Sequence, residues 1–354
     1  MQYKSDALFY ENGGLNMYAR MYIQYLYEVK NGWKKEGNIG DCIQNIAVEN
    51  IYNKAGISPN NLTLINRDAL NLYNGEPSNL IMQSYFAEAY KVFPFPWSKN
   101  ILPIFLGFHL NSTNNSRKRF IKEQIHKNMK SYEPVGCRDR STRDFLKAYG
   151  VNAYFSGCMT LTLDARKDIP QNGKIFIVDL HKKVLKNMPK QILEKADRSI
   201  THVYKWDKYP LDFKDAMEFE SKARDILEIY KKQASLVITS RIHVAMPCIA
   251  MGIPVIFISK SVYNVRFDVL QGIVPIYTYK DIKYIDWNPK PAQIAELKEA
   301  ITQNAIAQIT KSNTREDALN NLEKVTANLK PIRYLPKYKE LFRQIEIQIR
   351  KIFD

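Results

Sequence analysis

Long hydrophobic runs and closely spaced cysteine pairs are both missing from this 354-residue chain. No apolar stretch approaches the roughly 20 residues that a membrane-spanning helix needs. The first residues, MQYKSDALFYENGG, lack the apolar core of a signal peptide, so we expect a cytoplasmic protein. The four cysteines (Cys42, Cys137, Cys158 and Cys248) stand singly in apolar or strand-like segments without C-x-x-C spacing. This spacing favours reduced, buried thiols over disulfides or a metal site.

The sequence also lacks the phosphate-loop pattern G-x-x-x-x-G-K-[ST], the G-x-G-x-x-G pattern and any nucleic-acid fold signature. Positive charge, by contrast, is in excess, with a net charge of +16 and a pI near 9.4. The basic residues are spread out, with short clusters at 116–130 and 336–351. We therefore expect no nucleic acid as a partner. Phosphate-bearing small molecules fit better, as does peripheral association with the anionic inner face of the cytoplasmic membrane through one of these clusters.

The chain is longer than the roughly 250–300 residues at which one hydrophobic core stops growing, which indicates two domains. Helical patterns at 40–56, 141–150 and 221–234 alternate with short apolar runs. The first pattern ends at Gly56, and the second begins with a Ser/Thr cap and ends at Gly150. These runs, at 61–66, 79–86, 101–110, 134–139, 174–180, 200–206, 235–240 and 254–259, are typical of buried parallel strands. The alternation predicts an α/β fold.

A polar stretch at 164–174 carries Pro and Gly and separates two groups of strands. We place an N-terminal domain at 1–165 and a C-terminal domain at 166–330. The sequence from about residue 291 onward predicts helices. We expect the last of them, 331–354, to pack back on the N-terminal domain.

In open α/β sheets, ligands bind at the carboxyl ends of the strands. One candidate segment is EGNIGDCIQNIAVE, in which Gly37 and Gly40 flank Asn38 and Asp41 stands at the predicted start of a helix. Such a turn lets a ligand approach the backbone and the helix N-terminus. An ordinary glycine turn before an Asp-capped helix has the same spacing, so the pattern alone leaves both interpretations open.

Two further candidates follow strand-like runs. Arg138 follows the run at 134–137, where it would either bind an anion or pair with Asp139. Ser240, Arg241 and His243 follow the run at 235–239. A lone histidine beside apolar residues is more often a packing residue, but an arginine at the end of a buried strand needs an anion nearby. We therefore favour a phosphate-binding cleft here, which His109, at the end of another run, would also face.

The segments GNIGDCIQNIA, VGCRDRSTRDFLKAYGV and VITSRIHVAMPCIAMGIPVIFIS, in this order and at these separations, resemble the polysaccharide pyruvyl transferase family. YNVRFDVLQGI, at 263–273, is similar to the segment that usually follows, and Arg266 and Asp268 match it. The resemblance extends over residues 36–280. One departure is Cys158-Met159, where many relatives resemble an Asp-Pro step.

The resemblance implies a glycosyltransferase-B-like fold, in which two Rossmann-like domains with parallel sheets face each other across a cleft. It implies phosphoenolpyruvate as the donor, a sugar of a bacterial surface polysaccharide or its precursor as the acceptor, and a pyruvate ketal as the product. Arg241 and His243 match the R-x-H element assigned to donor binding and catalysis. The resemblance and the positions of these residues at strand and helix ends together imply two sets of binding residues. The donor residues are Arg138, Ser240, Arg241 and Arg266, and the acceptor residues are Asn38, Gly40, Asp41, Gln44 and His109.

The chemistry of ketal formation agrees with these residue types. The methylene carbon of the enol phosphate must be protonated, one sugar hydroxyl must attack, phosphate must leave, and a second hydroxyl must close the ring. A histidine suits the proton transfer, and arginines would hold the anionic donor. We expect no metal and no cofactor besides the donor, and a lipid-linked acceptor. Two alternatives stay open: a glycosyltransferase with a nucleotide-sugar donor, and a non-catalytic protein that binds polysaccharide precursors or partner enzymes.

Overall fold

The structure is a computed structural model that describes residues 9–10, 17–25, 36–86, 93–206 and 211–353. Its strands are β1 Phe9–Tyr10, β2 Tyr18–Tyr22, β3 Glu36–Asn38, β4 Leu62–Asn66, β5 Ser78–Ile81, β6 Ser84–Phe86, β7 Ile101–Ile104, β8 Phe108–Leu110, β9 Val135–Cys137, β10 Ala153–Phe155, β11 Lys174–Val178, β12 Ala196–Asp197, β13 Val203–Lys205, β14 Ala234–Thr239, β15 Val255–Ser259 and β16 Ile276–Thr278. Its helices are α1 Ile39–Lys54, α2 Asn114–Lys122, α3 Ile125–Met129, α4 Arg140–Ala148, α5 Lys182–Asn187, α6 Lys190–Lys195, α7 Phe213–Gln233, α8 Ile242–Ala250, α9 Ala295–Thr310, α10 Arg315–Ala327 and α11 Lys337–Phe353.

Most strands lie in three sheets whose neighbours are largely parallel. The first sheet has the order β1-β4-β2-β5-β7, with β1 antiparallel to β4. The second has the order β10-β9-β8-β6 and the third β12-β11-β14-β15-β16, and both are parallel throughout. Parallel sheets are covered by helices on their faces, which explains their continuous apolar strands. The prediction of a mixed α/β fold with parallel sheets is therefore confirmed.

Two apolar runs that read as single strands each form two strands in different sheets. The run at 79–86 forms β5 and β6, and the run at 101–110 forms β7 and β8. The second break includes Gly107, whose φ is +74°. A Cβ atom there would lie 2.9 Å from Gln83 Oε1, so the two breaks are packed against each other. Glycine adopts this left-handed conformation without the steric cost that other residues incur, and the chain thereby passes from the first sheet to the second.

The prediction that 200–206 is a buried parallel strand is wrong. Only β13 forms there, and it pairs antiparallel with β3, Val203 opposite Asn38. The ring of Trp206 covers Gly37, where a Cβ atom would lie 1.8 Å from the ring. The backbone N–H of Ile39 also donates to the carbonyl of His202 at 2.9 Å. This small sheet therefore fastens the start of α1 to a loop from the second half of the chain.

Helix α1 begins earlier than the sequence indicated. Asn38 is its N-cap, and the side-chain oxygen of Asn38 accepts a hydrogen bond from the Gly40 N–H at 3.1 Å. Asp41, which we predicted to be the cap, lies inside the first turn and is buried. An amide oxygen satisfies an unpaired helix N–H as well as a carboxylate does, so the cap residue had been misassigned by three positions.

Helix α4 is capped by Asp139 rather than by the predicted Ser/Thr start of 141–150. One carboxylate oxygen of Asp139 accepts from the backbone N–H of Thr142 at 2.8 Å. The predicted helix ends are confirmed at Gly56 and Gly150, whose φ values of +81° and +74° are the left-handed conformation of glycine after a helix.

Strand β2, in the interior of the first sheet, was missed because it contains a buried arginine. Arg20 makes two hydrogen bonds of 2.9 Å with the carboxylate of Glu220 on α7. Glu49 on α1 lies 3.3 Å from Arg20 and accepts two hydrogen bonds from Arg224 on α7. This paired network permits charge in the interior and joins β2, α1 and α7, although α7 lies about 200 residues further along the chain.

The C-terminal helices divide between two regions. On α9, Asn304 donates to the hydroxyl of Tyr154 at 2.9 Å, and Lys298 donates to the Leu163 carbonyl. Helix α11, which we expected to pack on the N-terminal domain, instead has its ion pair and hydrogen bonds with residues 276–284. The domain boundaries at 165 and 330 and the arrangement of two domains across a cleft stay predictions. None of the described helices is long and apolar enough to cross a bilayer.

Candidate functional site

A cavity of about 320 Å³ lies at the carboxyl ends of β14 and β15. Its volume is at the lower end of the range for small-molecule sites. The lining residues are Asn38, His202, Ser240, Arg241, Ile242, His243, Ser259, Lys260, Asn264, Arg266 and Phe267. The structure thus brings together five residues singled out from the sequence: Asn38, Ser240, Arg241, His243 and Arg266. Residues from both halves of the chain share this wall, because β3 and β13 pair beside it.

Arg241 is held in place by an acid that sequence reasoning missed. Its Nε atom lies 2.5 Å from a carboxylate oxygen of Asp179, the residue directly after β11. The same carboxylate accepts from the backbone N–H of His202 at 3.0 Å and from the hydroxyl of Thr201 at 2.8 Å. Asp179 therefore both orients the guanidinium and fixes the loop that carries His202. Its position directly after a buried strand was the signal in the sequence.

Ser240 also interacts with this part of the sheet, since its hydroxyl donates to the Asp179 carbonyl at 2.8 Å. Beside it, the Arg241 N–H donates to the Thr239 hydroxyl at 3.0 Å. These bonds fix the backbone where β14 ends and α8 begins. The positions of Ser240 and Arg241 at the strand end are therefore as predicted, and their roles toward a donor stay predictions.

His243 lies in the first turn of α8 and is buried. Burial, followed by the charges of Arg138 and Arg266, lowers the pKa of His243 well below its usual value. The imidazole is therefore neutral at pH 7 in the unliganded protein. Gly40 packs directly on it, because a Cβ atom at Gly40 would lie 2.7 Å from the His243 Cβ. This contact requires glycine at position 40 and joins the start of α1 to α8.

Arg138 lies behind the cavity wall and has only 2% of its surface exposed. Its Nη1 atom donates to Gln44 Oε1 at 2.8 Å, whereas its Nη2 atom is buried and has no hydrogen-bond partner within the described ranges. Burial and the charge of Arg266 lower the pKa of Arg138. A buried cation with an unsatisfied donor is costly, so this arrangement favours the binding of an anion.

Arg266, on the cavity wall, also has a buried guanidinium N–H without a hydrogen-bond partner among the described residues. This N–H is the one at its Nε atom. Its guanidinium carbon lies 5.4 Å from the centre of the Tyr85 ring. The turn that carries Arg266 is tied to α4, because Asp268 accepts from the Arg140 N–H at 2.8 Å. Burial raises the pKa of Asp268 to about 6.

Of the predicted acceptor residues, only Asn38 reaches the cavity wall. Asp41 accepts from the hydroxyl of Tyr25 at 3.3 Å and lies 3.5 Å from Arg67 Nη1. The Asp41 carboxylate is thus already engaged by internal groups. Gln44 is fully buried, and its amide nitrogen lies 3.5 Å from a carboxylate oxygen of Asp41. Asp41 and Gln44 therefore form a layer behind the wall that fixes α1 and Arg138.

His109 is 1% exposed and belongs to the second sheet rather than to the cavity wall. Its Nδ1 atom pairs with a carboxylate oxygen of Asp139, and its ring lies 4.8 Å from that of Tyr85. Burial lowers the pKa of His109 to about 4, against the opposing effect of Asp139. Asp139 also caps α4, so His109 braces the segment that carries Arg138.

Cys158, which the resemblance in sequence singles out as a departure, lies beside His243. The distance from its sulfur to His243 Nε2 is 4.0 Å. The hydroxyl of Thr160 donates to the sulfur at 3.2 Å, and burial raises the thiol pKa. The thiol is therefore protonated at neutral pH. Within the described segments, no three His, Cys, Asp or Glu side chains are grouped so that they could hold a metal ion.

A family model for polysaccharide pyruvyl transferases matches residues 38–261, well over half of the chain. The chain belongs to the polysaccharide pyruvyl transferase family. The matched range includes α1, Arg138 and the R-x-H pair, which are the parts of the site that come together at α8. Arg266 lies just beyond its end. The family match supports a role in pyruvyl transfer in polysaccharide biosynthesis.

No curated protein sequence matches this chain. Two solved structures are similar to this pyruvyl transferase family member at low identity. One is a functionally uncharacterised protein of Klebsiella pneumoniae, with 17% identity, a TM-score of 0.41 and coverage of 72% of this chain and 88% of that one. The other, from Listeria monocytogenes, is titled as a candidate UDP-N-acetylglucosamine 2-epimerase, with 11% identity, a TM-score of 0.32 and coverage of 82% and 84%. At these TM-scores, neither similarity bears on function.

His202 was not among the site residues predicted from the sequence, but it lines the cavity. Its Nε2 atom lies 3.0 Å from the hydroxyl of Tyr230, and its Nδ1 atom is buried without a partner among the described residues. Burial lowers its pKa to about 3. Ser259 and Lys260, at the end of β15, were also missed. The rule that ligands bind at strand ends, applied to that strand, would have found them.

Proposed function

We propose that this protein transfers the enolpyruvyl-derived group of phosphoenolpyruvate to a sugar of a bacterial surface-polysaccharide precursor, forming a pyruvate ketal. One observation carries the proposal. Arg138 Nη2 and Arg266 Nε are buried and lack partners among the described residues, and the charges of both side chains reach the buried His243. A donor with a carboxylate and a phosphate supplies the negative charge that this arrangement lacks.

Arg241 and Lys260 add two further cations to the cavity wall. Arg241 is oriented through its Nε atom by Asp179, so its guanidinium is fixed before a ligand arrives. A guanidinium held in this way binds a phosphate or carboxylate with little loss of side-chain entropy. In this proposal Arg241 and Arg266 contact the donor from the cavity wall, and the buried charge of Arg138 behind the wall adds to the attraction for the anion.

His243 would act as the general acid on the methylene carbon. When that carbon receives the proton, the adjacent carbon becomes electron-deficient. A sugar hydroxyl then adds to that carbon, and the proton of this hydroxyl returns to His243. Phosphate departs, a second hydroxyl closes the ring, and the phosphate takes up the proton of the second hydroxyl. The neutral state of His243 in the free protein follows from burial and the arginine charges. A bound dianionic donor would offset those charges and raise the pKa, so that His243 takes up its proton as the donor binds.

The acceptor would approach from the side of Asn38, which lines the cavity. The side-chain oxygen of Asn38 accepts from the Gly40 N–H. Asp41 and Gln44 would orient the acceptor indirectly, by fixing α1 and Arg138. His109 is paired with Asp139 and has a bracing role in this scheme.

Turnover tests the reaction directly. The protein is incubated with phosphoenolpyruvate and a panel of lipid-linked and nucleotide-linked sugars, and the products are analysed for a carboxyethylidene mass gain. We expect the gain on one acceptor class, and a loss of roughly 10²–10⁴ in turnover for His243→Asn with donor binding largely kept. Stabilisation by a nucleotide sugar but not by phosphoenolpyruvate would contradict the proposal in favour of glycosyl transfer. Donor binding without turnover on any acceptor would favour a non-catalytic role.

Proton uptake tests the role of His243 separately from turnover. Calorimetry of phosphoenolpyruvate binding in buffers of different ionisation enthalpy should show net proton uptake near pH 7. The affinity should rise as the pH falls, because the protonated imidazole is favoured only in the complex. His243→Asn should abolish the uptake. Binding without proton uptake would leave His243 neutral in the complex and exclude it as the acid.

A further inference from the structure

Helix α11 presents a continuous apolar stripe to the outside. Its members are Tyr338, Leu341, Phe342, Ile345 and Ile349, which are between 48% and 71% exposed. The intervals of three and four residues place all five on one face of the helix. Isolated exposed apolar residues are ordinary, whereas a contiguous stripe of this length marks an interaction surface.

The opposite face of α11 is attached to the rest of the protein, so the direction of the stripe is fixed. Arg343 is 9% exposed and lies 3.2 Å from a carboxylate oxygen of Asp281. Arg343 also donates to the Ile276 carbonyl, and Lys339 donates to the hydroxyl of Tyr284 at 2.9 Å. A rotation of the helix that buried the stripe would break these bonds. The apolar face therefore stays outward in the folded protein.

Basic side chains border the stripe. Within α11, Lys337, Arg350 and Lys351 are exposed, and the helix carries five basic residues against two acidic ones. The chain as a whole has a net charge of +16. An apolar face with basic borders is the composition of a helix that lies in the interface of an anionic membrane. A symmetric contact with a second copy would bring these same cations together, which is unfavourable.

The other basic cluster, at 116–130, lacks the apolar part of this pattern. Its large apolar side chains Phe120, Ile125 and Met129 are fully buried. Arg119 pairs with Glu123 at 2.6 Å, and Arg117 packs 4.9 Å from the ring centre of Phe145. This cluster is therefore charged without an exposed apolar face. The two clusters, which the sequence could not distinguish, differ in the structure.

We propose that α11 is a membrane-binding helix that inserts its apolar stripe at the surface of an anionic bilayer. Phe267 borders both the substrate cavity and the hollow of about 120 Å³ beneath α11. The helix and the cavity are thus neighbours, and a membrane-bound α11 keeps the cavity close to the lipid surface. The proposal concerns binding to lipid and does not rest on the pyruvyl transfer reaction.

Vesicle sedimentation of the 354-residue protein tests this surface. Vesicles of phosphatidylcholine alone are compared with vesicles that also contain phosphatidylglycerol. We expect binding to the anionic vesicles that weakens with added salt, and weak binding to the neutral ones. The L341S/F342S variant should bind at least about tenfold more weakly. Ile169→Ser, at an apolar position that is 75% exposed elsewhere on the surface, is the matched control and should bind normally.

The charged border is tested in the same assay. K337Q/R350Q should weaken binding to anionic vesicles, whereas K118Q/K122Q, at exposed positions of the other cluster, should have a smaller effect. Circular dichroism and melting temperature establish that each variant is folded. Equal binding to both vesicle types, or unchanged binding of L341S/F342S, overturns the proposal. The proposal is also overturned if the protein is a dimer that L341S/F342S converts to a monomer without a change in vesicle binding, because the stripe would then be a self-association surface.

Discussion

A methyl group added at Gly40 would meet His243 directly. In the structure, the Cβ atom of an alanine at this position would lie 2.7 Å from the His243 Cβ, and 3.2 Å from both His243 Nδ1 and Asn38 Oδ1. Carbon atoms in good contact are about 3.5–4.0 Å apart. Either α1 or the start of α8 must therefore move by about 1 Å, and both carry groups of the cavity wall.

The effect of Gly40→Ala on stability should be small. Overpacking costs about 1–3 kcal/mol, and the better helix propensity of alanine offsets about 1 kcal/mol of this. We expect a net loss of about 0–2 kcal/mol, which lowers the melting temperature by only a few degrees in a chain of this size. The N-cap hydrogen bond is kept, because alanine at position 40 still has the backbone N–H that donates to the side-chain oxygen of Asn38.

The effect of Gly40→Ala on function should be large. A displacement of about 1 Å at a catalytic group can cost about 10² in rate. Pyruvyl transfer, measured by product mass, should therefore fall about a hundredfold while the protein stays folded. Asn53→Ala, at an exposed position on α1, is the control and should change neither property. If Gly40→Ala keeps activity within about twofold of the unchanged protein, the contact between α1 and His243 does not position the site, and our reasoning is refuted.

Three further predictions follow from buried charged or titratable groups. Arg138→Met should leave the melting temperature of the unliganded protein unchanged or higher, because it removes a buried cation with an unsatisfied donor. The same variant should abolish the rise in melting temperature that phosphoenolpyruvate causes. A large fall in the melting temperature of the unliganded variant would contradict this prediction. Glu220→Ala should destabilise the protein by about 1.5–3 kcal/mol in urea unfolding, since the buried Arg20 loses both hydrogen bonds with Glu220 and keeps only the Glu49 carboxylate as a partner, whereas Glu218→Ala on the same helix should cost less than about 1 kcal/mol. His202 has a folded pKa of about 3, so the unfolded chain binds its proton first and stability falls as the pH drops from about 6.5 toward 3. His202→Gln should therefore reduce the loss between pH 7 and pH 5 by about 2 kcal/mol, and an unchanged pH profile would contradict this.

Ser240, Arg241 and His243 lie near the end of a strand, as the sequence indicated, because β14 ends at Thr239 and α8 begins at Ile242. Their roles toward a ligand stay predictions. The three residues were placed by the rule that ligands bind at the carboxyl ends of parallel strands, and they line the cavity. That rule uses only local pattern and needs no knowledge of strand order. The helix ends at Gly56 and Gly150 were predictable for the same reason.

Errors arose where the outcome depends on distant partners. The run at 200–206 was assigned as a parallel strand, because nothing local reveals that β13 pairs with β3, some 165 residues earlier. For the same reason, the sequence did not identify His202 as a cavity residue. Strand β2 was hidden by Arg20, whose burial depends on Glu220, 200 residues away. A local pattern cannot report a pairing that is made only when the chain folds.

In the proposed reaction, the charges around the cavity would explain how His243 can be neutral in the free protein and act as an acid in the complex. The pKa of His243 is held down by burial and by Arg138 and Arg266, and both arginines have buried N–H groups without partners in the described part of the chain. A ligand that pairs with those groups removes the two charges that oppose protonation. Anion binding and proton uptake are then one coupled event. In the proposed mechanism, His243 would therefore be protonated only in the complex with an anionic ligand, and water would not have this effect because it carries no negative charge.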